Sequence, residues 1–113
     1  MCVVVMTVGI ARISVFLPAS HSLKEKRMVL RRVKALVRDK FNAAIAEVGE
    51  NDLWQRAALG VTVVGNERTF TESALDEVIR FVQERAEVTN VEHEVQTFSD
   101  AFGVGSGGAH WQG

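Results

Sequence analysis

From Val3 to Leu17 the chain is dominated by apolar and β-branched residues, and from Ala11 onward apolar Ala11, Ile13, Val15 and Leu17 alternate with Arg12 and Ser14. A period of two predicts a long strand. Pro18-Ala19-Ser20-His21 ends it. Ser22, with Glu25 three residues later, then forms a capping box that satisfies two amides at a helix start. The helix is expected to run to about Lys40, with Leu23, Leu30, Val33, Val37 and Phe41 available for its buried stripe. Two short apolar runs follow, Ala43 to Val48 and Ala57 to Val64, separated by the polar Gly49-Glu50-Asn51-Asp52. That pattern predicts a hairpin with an irregular connection, closed by Gly65-Asn66. A second helix is expected from about Thr71 to Glu87, where Leu75, Val78, Ile79, Val82 and Ala86 recur at helical spacing and Phe70 is placed to staple against Leu75. Val88 to Phe98 alternates loosely and makes the last strand.

The element order is strand, helix, strand, strand, helix, strand, and right-handed crossovers turn it into a split β-α-β arrangement. The expected fold class is α+β, a ferredoxin-like sandwich of four antiparallel strands with both helices on one face. At 113 residues, with one proline and 47% hydrophobic residues, the chain has material for one core and one domain, residues 1–98. The tail, residues 99–113, contains Gly103-Val104-Gly105-Ser106-Gly107-Gly108 and has too little apolar content to pack. Met1 to Ala11 carries no charge, but it lacks a basic n-region, and Arg12 interrupts it well short of the roughly 20 residues of a membrane span. The single cysteine, Cys2, has no intrachain partner and no metal-ligand neighbour. A soluble, cytoplasmic protein is expected.

The segments Ser22-Leu23-Lys24-Glu25-Lys26-Arg27, Phe41-Asn42 leading to Ala46-Glu47-Val48, and Asp52-Leu53-Trp54-Gln55-Arg56-Ala57 with Leu59-Gly60-Val61 together resemble the YlxP-like bacterial proteins of unknown function. The resemblance covers about residues 5 to 98 in the same order. It implies a ferredoxin-like fold and a small cytoplasmic protein whose gene commonly lies near those for translation initiation and ribosome maturation. It implies no activity, and the Gly-rich end lies outside it.

Charge adds one feature that periodicity does not reveal. Between Leu23 and Lys40 stand Lys24, Lys26, Arg27, Arg31, Arg32, Lys34, Arg38 and Lys40, opposed only by Glu25 and Asp39, while the whole chain has a formal net charge of −1. Positive charge is thus gathered on one element of a near-neutral protein, as on a polyanion-facing surface. Lys24, Arg27, Arg31, Lys34 and Arg38 are spaced to line one helix face, which Lys26, Arg32 and Lys40 widen. Such a stripe suits a phosphate backbone, with affinity that falls steeply with salt and carries little sequence information. A merely solvated face remains the competing reading, since Lys and Arg form helices readily and cover apolar surface with their stems. An acidic protein partner is the third. A sheet-face reader of single strands would need stacked aromatics, yet Ala57 to Val64 has none and the first strand offers only Phe16. RNA binding would therefore use the helix and the loop before it and recognise shape, as at a site on ribosomal RNA or the small ribosomal subunit.

A second constellation is Glu47 with Asp52-Leu53-Trp54-Gln55-Arg56. A hairpin centred near Asn51 and Asp52 would set Glu47 opposite Arg56, a cross-strand pair of roughly 0.2–1 kcal/mol. The residues then fix the turn, with Trp54 over the edge of the core. The sharper reading makes Trp54 and Arg56 an interface anchor. Two helices cover only one side of the sheet, so Val4, Met6, Val8 and Ile10 are expected to form an exposed apolar patch. A homo-oligomer, most simply a twofold dimer that packs sheet to sheet or extends the sheet through an edge, is expected.

Catalysis has little to rest on. The loop Pro18-Ala19-Ser20-His21 lacks the Gly-rich, Arg-containing sequence with which acylphosphatases of this fold cradle phosphate, and fold alone is no evidence of function. His21, His93 and His110 complete no metal pattern, and no nucleophile and base are paired. The expectation is a non-enzyme without cofactor or small-molecule substrate. It binds structured RNA through its first helix or, alternatively, proteins through the sheet face and the Trp54 region.

Overall fold

A computed structural model describes residues 5–99. The expectations for Cys2, Val4 and the tail beyond Ser99 lie outside the described residues. Strand β1 (Met6–Phe16) leads to helix α1 (Leu23–Lys40), the strands β2 (Ala44–Gly49) and β3 (Arg56–Gly65), helix α2 (Arg68–Arg85) and strand β4 (Glu87–Phe98). The sheet order is β2-β3-β1-β4, and every neighbouring pair is antiparallel. This is the ferredoxin-like α+β fold that the alternation of periods predicts.

The inward set of β1 is the odd one. Thr7, Ala11, Ile13 and Val15 are buried together with Ala57, Leu59, Val61 and Val63 of β3. Onto them pack Leu30, Val33 and Val37 of α1 and Leu75, Val78 and Val82 of α2. Gly9 sits in the same inward row, where a Cβ would come within 3.0 Å of Val63 Cγ2 and 3.3 Å of Leu75 Cδ2. Its missing side chain lets α2 approach the sheet at that point.

Helix α2 starts three residues earlier than expected, and Phe70 lies in its first turn at 64% exposure rather than stapled to Leu75. The inward row is Thr71, Leu75, Val78 and Val82, so Phe70, one residue and about 100° from Thr71, points to solvent. Thr71 takes the inward place, its hydroxyl donating to the Glu67 carbonyl at 2.9 Å.

The even residues of β1 face the uncovered side of the sheet. Ile10 and Val64 are exposed there, at 48% and 59%, beside half-buried Met6, Val8 and Phe98. The apolar area is a corner rather than a whole face. Strand β4 turns Val91 and Val95 inward and presents Glu92, Glu94 and Gln96 opposite Arg12, Ile10 and Val8. At the other end a bulge between Glu47 and Gly49 leaves Val48 over Gly60, and the Arg12 guanidinium reaches across to Gly49.

Candidate nucleic-acid interface

Helix α1 begins as its sequence predicts. The Ser22 hydroxyl accepts from the Glu25 amide at 3.1 Å, and the Glu25 carboxylate accepts from the His21 amide. The Ser22 cap, with the Glu25 carboxylate on the amide of the residue before it rather than on that of Ser22 itself, fixes the rotational setting of the helix from its first turn. Two parallel rows follow from that setting. Lys26, Leu30, Val33 and Val37 point inward. Arg27, Arg31, Lys34 and Arg38 repeat the same 4-3-4 spacing one residue later, turned by about 100°.

Lys26 is therefore not a surface cation, and its place in the expected polyanion-binding set is corrected. Its residue is 1% exposed. The ammonium donates to the carbonyls of Glu50 at 2.7 Å, Leu53 at 2.8 Å and Asn51 at 3.4 Å, and it lies 2.8 Å from Glu47 Oε2. An ammonium has three protons, and the three carbonyls use them. The contact with Glu47 is accordingly a charge pair without an aligned hydrogen bond. A buried lysine lasts only with such compensation. It also holds the turn at Glu50, whose φ of 58° is left-handed and costly for a residue with a side chain. The sequence carried a signal for this: Lys26 continues the 4-3-4 row of Leu30, Val33 and Val37.

The expected Glu47–Arg56 pair does not form. Glu47 lies opposite Leu59, and Arg56 lies opposite Phe16 of β1, because the connection is longer than a tight turn and β2 is displaced along β3 by the bulge before Gly49. Glu47 finds Lys26 instead.

The outer row is exposed at Arg27, Arg31 and Arg38 and half-buried at Lys34, with Lys24 exposed one turn earlier. Among the described residues, none of Lys24, Arg27, Arg31, Arg32 and Lys34 is in an ion pair, whereas Lys26, Arg68 and Arg85 are. Arg38 donates from Nη2 to the Ile45 carbonyl at 2.9 Å, which ties the ridge to the edge strand β2. Lys40 leaves the ridge. Its ammonium lies 5.0 Å from the centroid of the Phe81 ring, which packs edge-on against Phe41 and takes the Arg85 guanidinium at 3.5 Å.

The turn between β2 and β3 abuts the start of the ridge through the Lys26–Leu53 bond. Trp54 is 53% exposed, next to exposed Leu53. Its neighbours are nonetheless fixed. The Gln55 carbonyl accepts from the Leu17 amide at 2.7 Å, and Gln55 Nε2 donates to the Pro18 carbonyl at 3.1 Å. Arg56 is exposed at the shared rim of two open concavities. The remaining expected interface residues, Met6, Val8 and Ile10, sit at the far end of the sheet from Trp54, on its open side. The Trp54 turn thus meets the first turn of α1, and the apolar corner is separate from both.

Residues 8–95 match the family described as protein of unknown function (DUF503). The chain is 38% identical over 81 residues to the "Uncharacterized protein YlxP" of Bacillus subtilis (strain 168), an alignment that spans 72% of this chain and 88% of that one. Among solved structures it is similar to LarC2, the C-terminal domain of a cyclometallase involved in the synthesis of the NPN cofactor of lactate racemase, in its apo form. The TM-score is 0.49 at 12% identity, with 83% of this chain matched and 57% of that domain's length spanned. It is also similar to the de novo designed protein Foldit4, with a TM-score of 0.46 at 16% identity over 82% of this chain and 96% of that one.

Proposed function

We propose that this chain, which belongs to the DUF503 family of proteins of unknown function, is a non-catalytic cytoplasmic module that binds structured RNA, ribosomal RNA in particular, through the outer face of α1. One observation carries the reading. Lys24, Arg27, Arg31 and Lys34 form a continuous row of cations without carboxylate partners among the described residues, on a near-neutral protein whose other cations include several in pairs. A straight row of about 10 residues rises about 15 Å along the helix, long enough to meet several phosphates of a duplex. Such contacts position a protein on RNA without reading bases.

The test is co-sedimentation with purified small ribosomal subunits across a salt titration. Binding should weaken steeply with salt. Reversing Arg27, Arg31 and Lys34 to Glu should weaken it strongly at low salt and flatten the logarithmic salt slope by at least about 2, since each phosphate contact contributes roughly 0.7–0.9. Unchanged affinity in the reversal variant would refute the ridge mechanism.

A second reading rests on a different observation, the exposed corner of Ile10 and Val64 with Met6, Val8 and Phe98 around them. Burying it between two copies, sheet to sheet about a twofold axis, would make a homodimer. Sedimentation equilibrium at micromolar concentration tests this. Dimer dissociation by Ile10→Glu supports it, and a monomeric parent protein rejects it.

A further inference from the structure

The RNA reading leaves one exposed feature without a role, the Trp54 turn. Tryptophan presents the largest apolar surface of any side chain, and at 53% exposure in a single domain it calls for an occupant. The turn that carries it is anchored on both sides. Lys26 holds the carbonyls of Glu50 and Leu53, and the Gln55 backbone and side chain hold Leu17 and Pro18. The indole is thus presented from a fixed backbone, a preorganised platform.

Its position joins it to the ridge. Leu53, the residue before it, is bonded to Lys26 in the first turn of α1, which also carries Lys24 and Arg27. Beyond Trp54, Arg56 rims two adjoining concavities of about 480 and 490 Å³. One is lined by the turn from Asp52 to Arg56. The other is lined by Ser14, Phe16, Glu50 and Asn90 as well as Arg56. The carboxylates of Glu50 and Asp52 make this end of the molecule unwelcoming to phosphate, in contrast to the ridge. The Trp54 turn meets the first turn of α1 through the Lys26–Leu53 bond, whereas the concavity lined by Ser14 and Asn90 opens on the helix-free side of the sheet.

We infer that Trp54 stacks on an unpaired nucleotide of the RNA whose backbone lies on the α1 ridge, so that the recognised feature is a bulge or loop next to a duplex. The inference rests on the ridge reading and adds to it a preference that phosphate contacts alone do not give. Exposed aromatics and cationic tracks combine in this way wherever single-stranded bases are held without sequence code.

The experiment uses the full chain with Trp111→Phe, so that Trp54 is the sole indole, and two RNA hairpins of equal length and charge, one with a single-nucleotide bulge and one fully paired. Expected is quenching of Trp54 fluorescence by the bulged RNA and at least about tenfold tighter binding of it than of the paired one. Trp54→Ala should erase that difference while leaving affinity for the paired hairpin and its salt slope intact, and Trp54→Phe should keep most of it. Equal affinity for both hairpins, or a Trp54→Ala variant that still discriminates, overturns the stacking role and leaves the ridge reading standing. Binding of neither hairpin at low salt overturns both. A protein ligand would then be the occupant of the Trp54 platform.

Discussion

The two rows of α1 have the same spacing and the same basic character at their start, and they do different work. Lys26 and Arg27 are neighbours in sequence. The first is enclosed by three carbonyls and a carboxylate, and the second is exposed without an ion pair among the described residues. A turn of 100° separates a group that builds the molecule from one available to a ligand. Counting charge along a helix therefore overstates the ligand-facing charge by whatever the fold has consumed. Here Lys26, Lys40 and part of Arg38 are consumed.

The contrast breaks first at Lys26. Lys26→Met should destabilise the protein by about 3–5 kcal/mol in urea denaturation, because it strands a carboxylate and three loop carbonyls. A loss under about 1 kcal/mol would show that the ammonium is dispensable to the fold. Next comes Glu47→Gln, which removes only the charge partner and leaves the three carbonyl bonds in place. Its expected cost is about 1.5 kcal/mol, measured in the same way. Ser22→Ala removes the cap that sets the rotation of both rows and should cost about 1 kcal/mol of thermal stability at the melting transition. Smallest is the effect of single reversals in the outer row. Arg27→Glu or Arg31→Glu should move stability by no more than about 0.5 kcal/mol. A larger loss would mean that the outer row also holds the fold together.

Much of this architecture was legible in the residues. Helix α1 has the predicted boundaries because its start is written in Ser22 and Glu25 and its apolar stripe keeps helical spacing from Leu30 onward, with Lys26 taking the inward place before it. Strands β2 and β3 and the start of β4 differ from expectation by one residue, where pairing partners rather than local pattern decide the limits. At α2 the sequence misled over Phe70, since a large apolar residue beside a helix start resembles a staple until the inward row is fixed by contact with the sheet. The apolar patch on the open face was overestimated because β1 was read without its neighbour. Glu92 and Glu94 are far from Ile10 in sequence and adjoin it only through the β1–β4 register.

The candidate site divides in the same way. The sequence by itself determined the order of elements, the cap, the basic row and the resemblance to a family, because each depends on residues within a few positions of one another or on the order of segments along the chain. Only the tertiary structure decided that Lys26 belongs inside, that Glu47 pairs with it rather than with Arg56, and that half-exposed Trp54 rides on a turn bonded to the first turn of α1. Those outcomes depend on where the β2–β3 turn meets α1, a contact across more than 20 residues of chain. It is set by sheet register and packing, about which local pattern is silent.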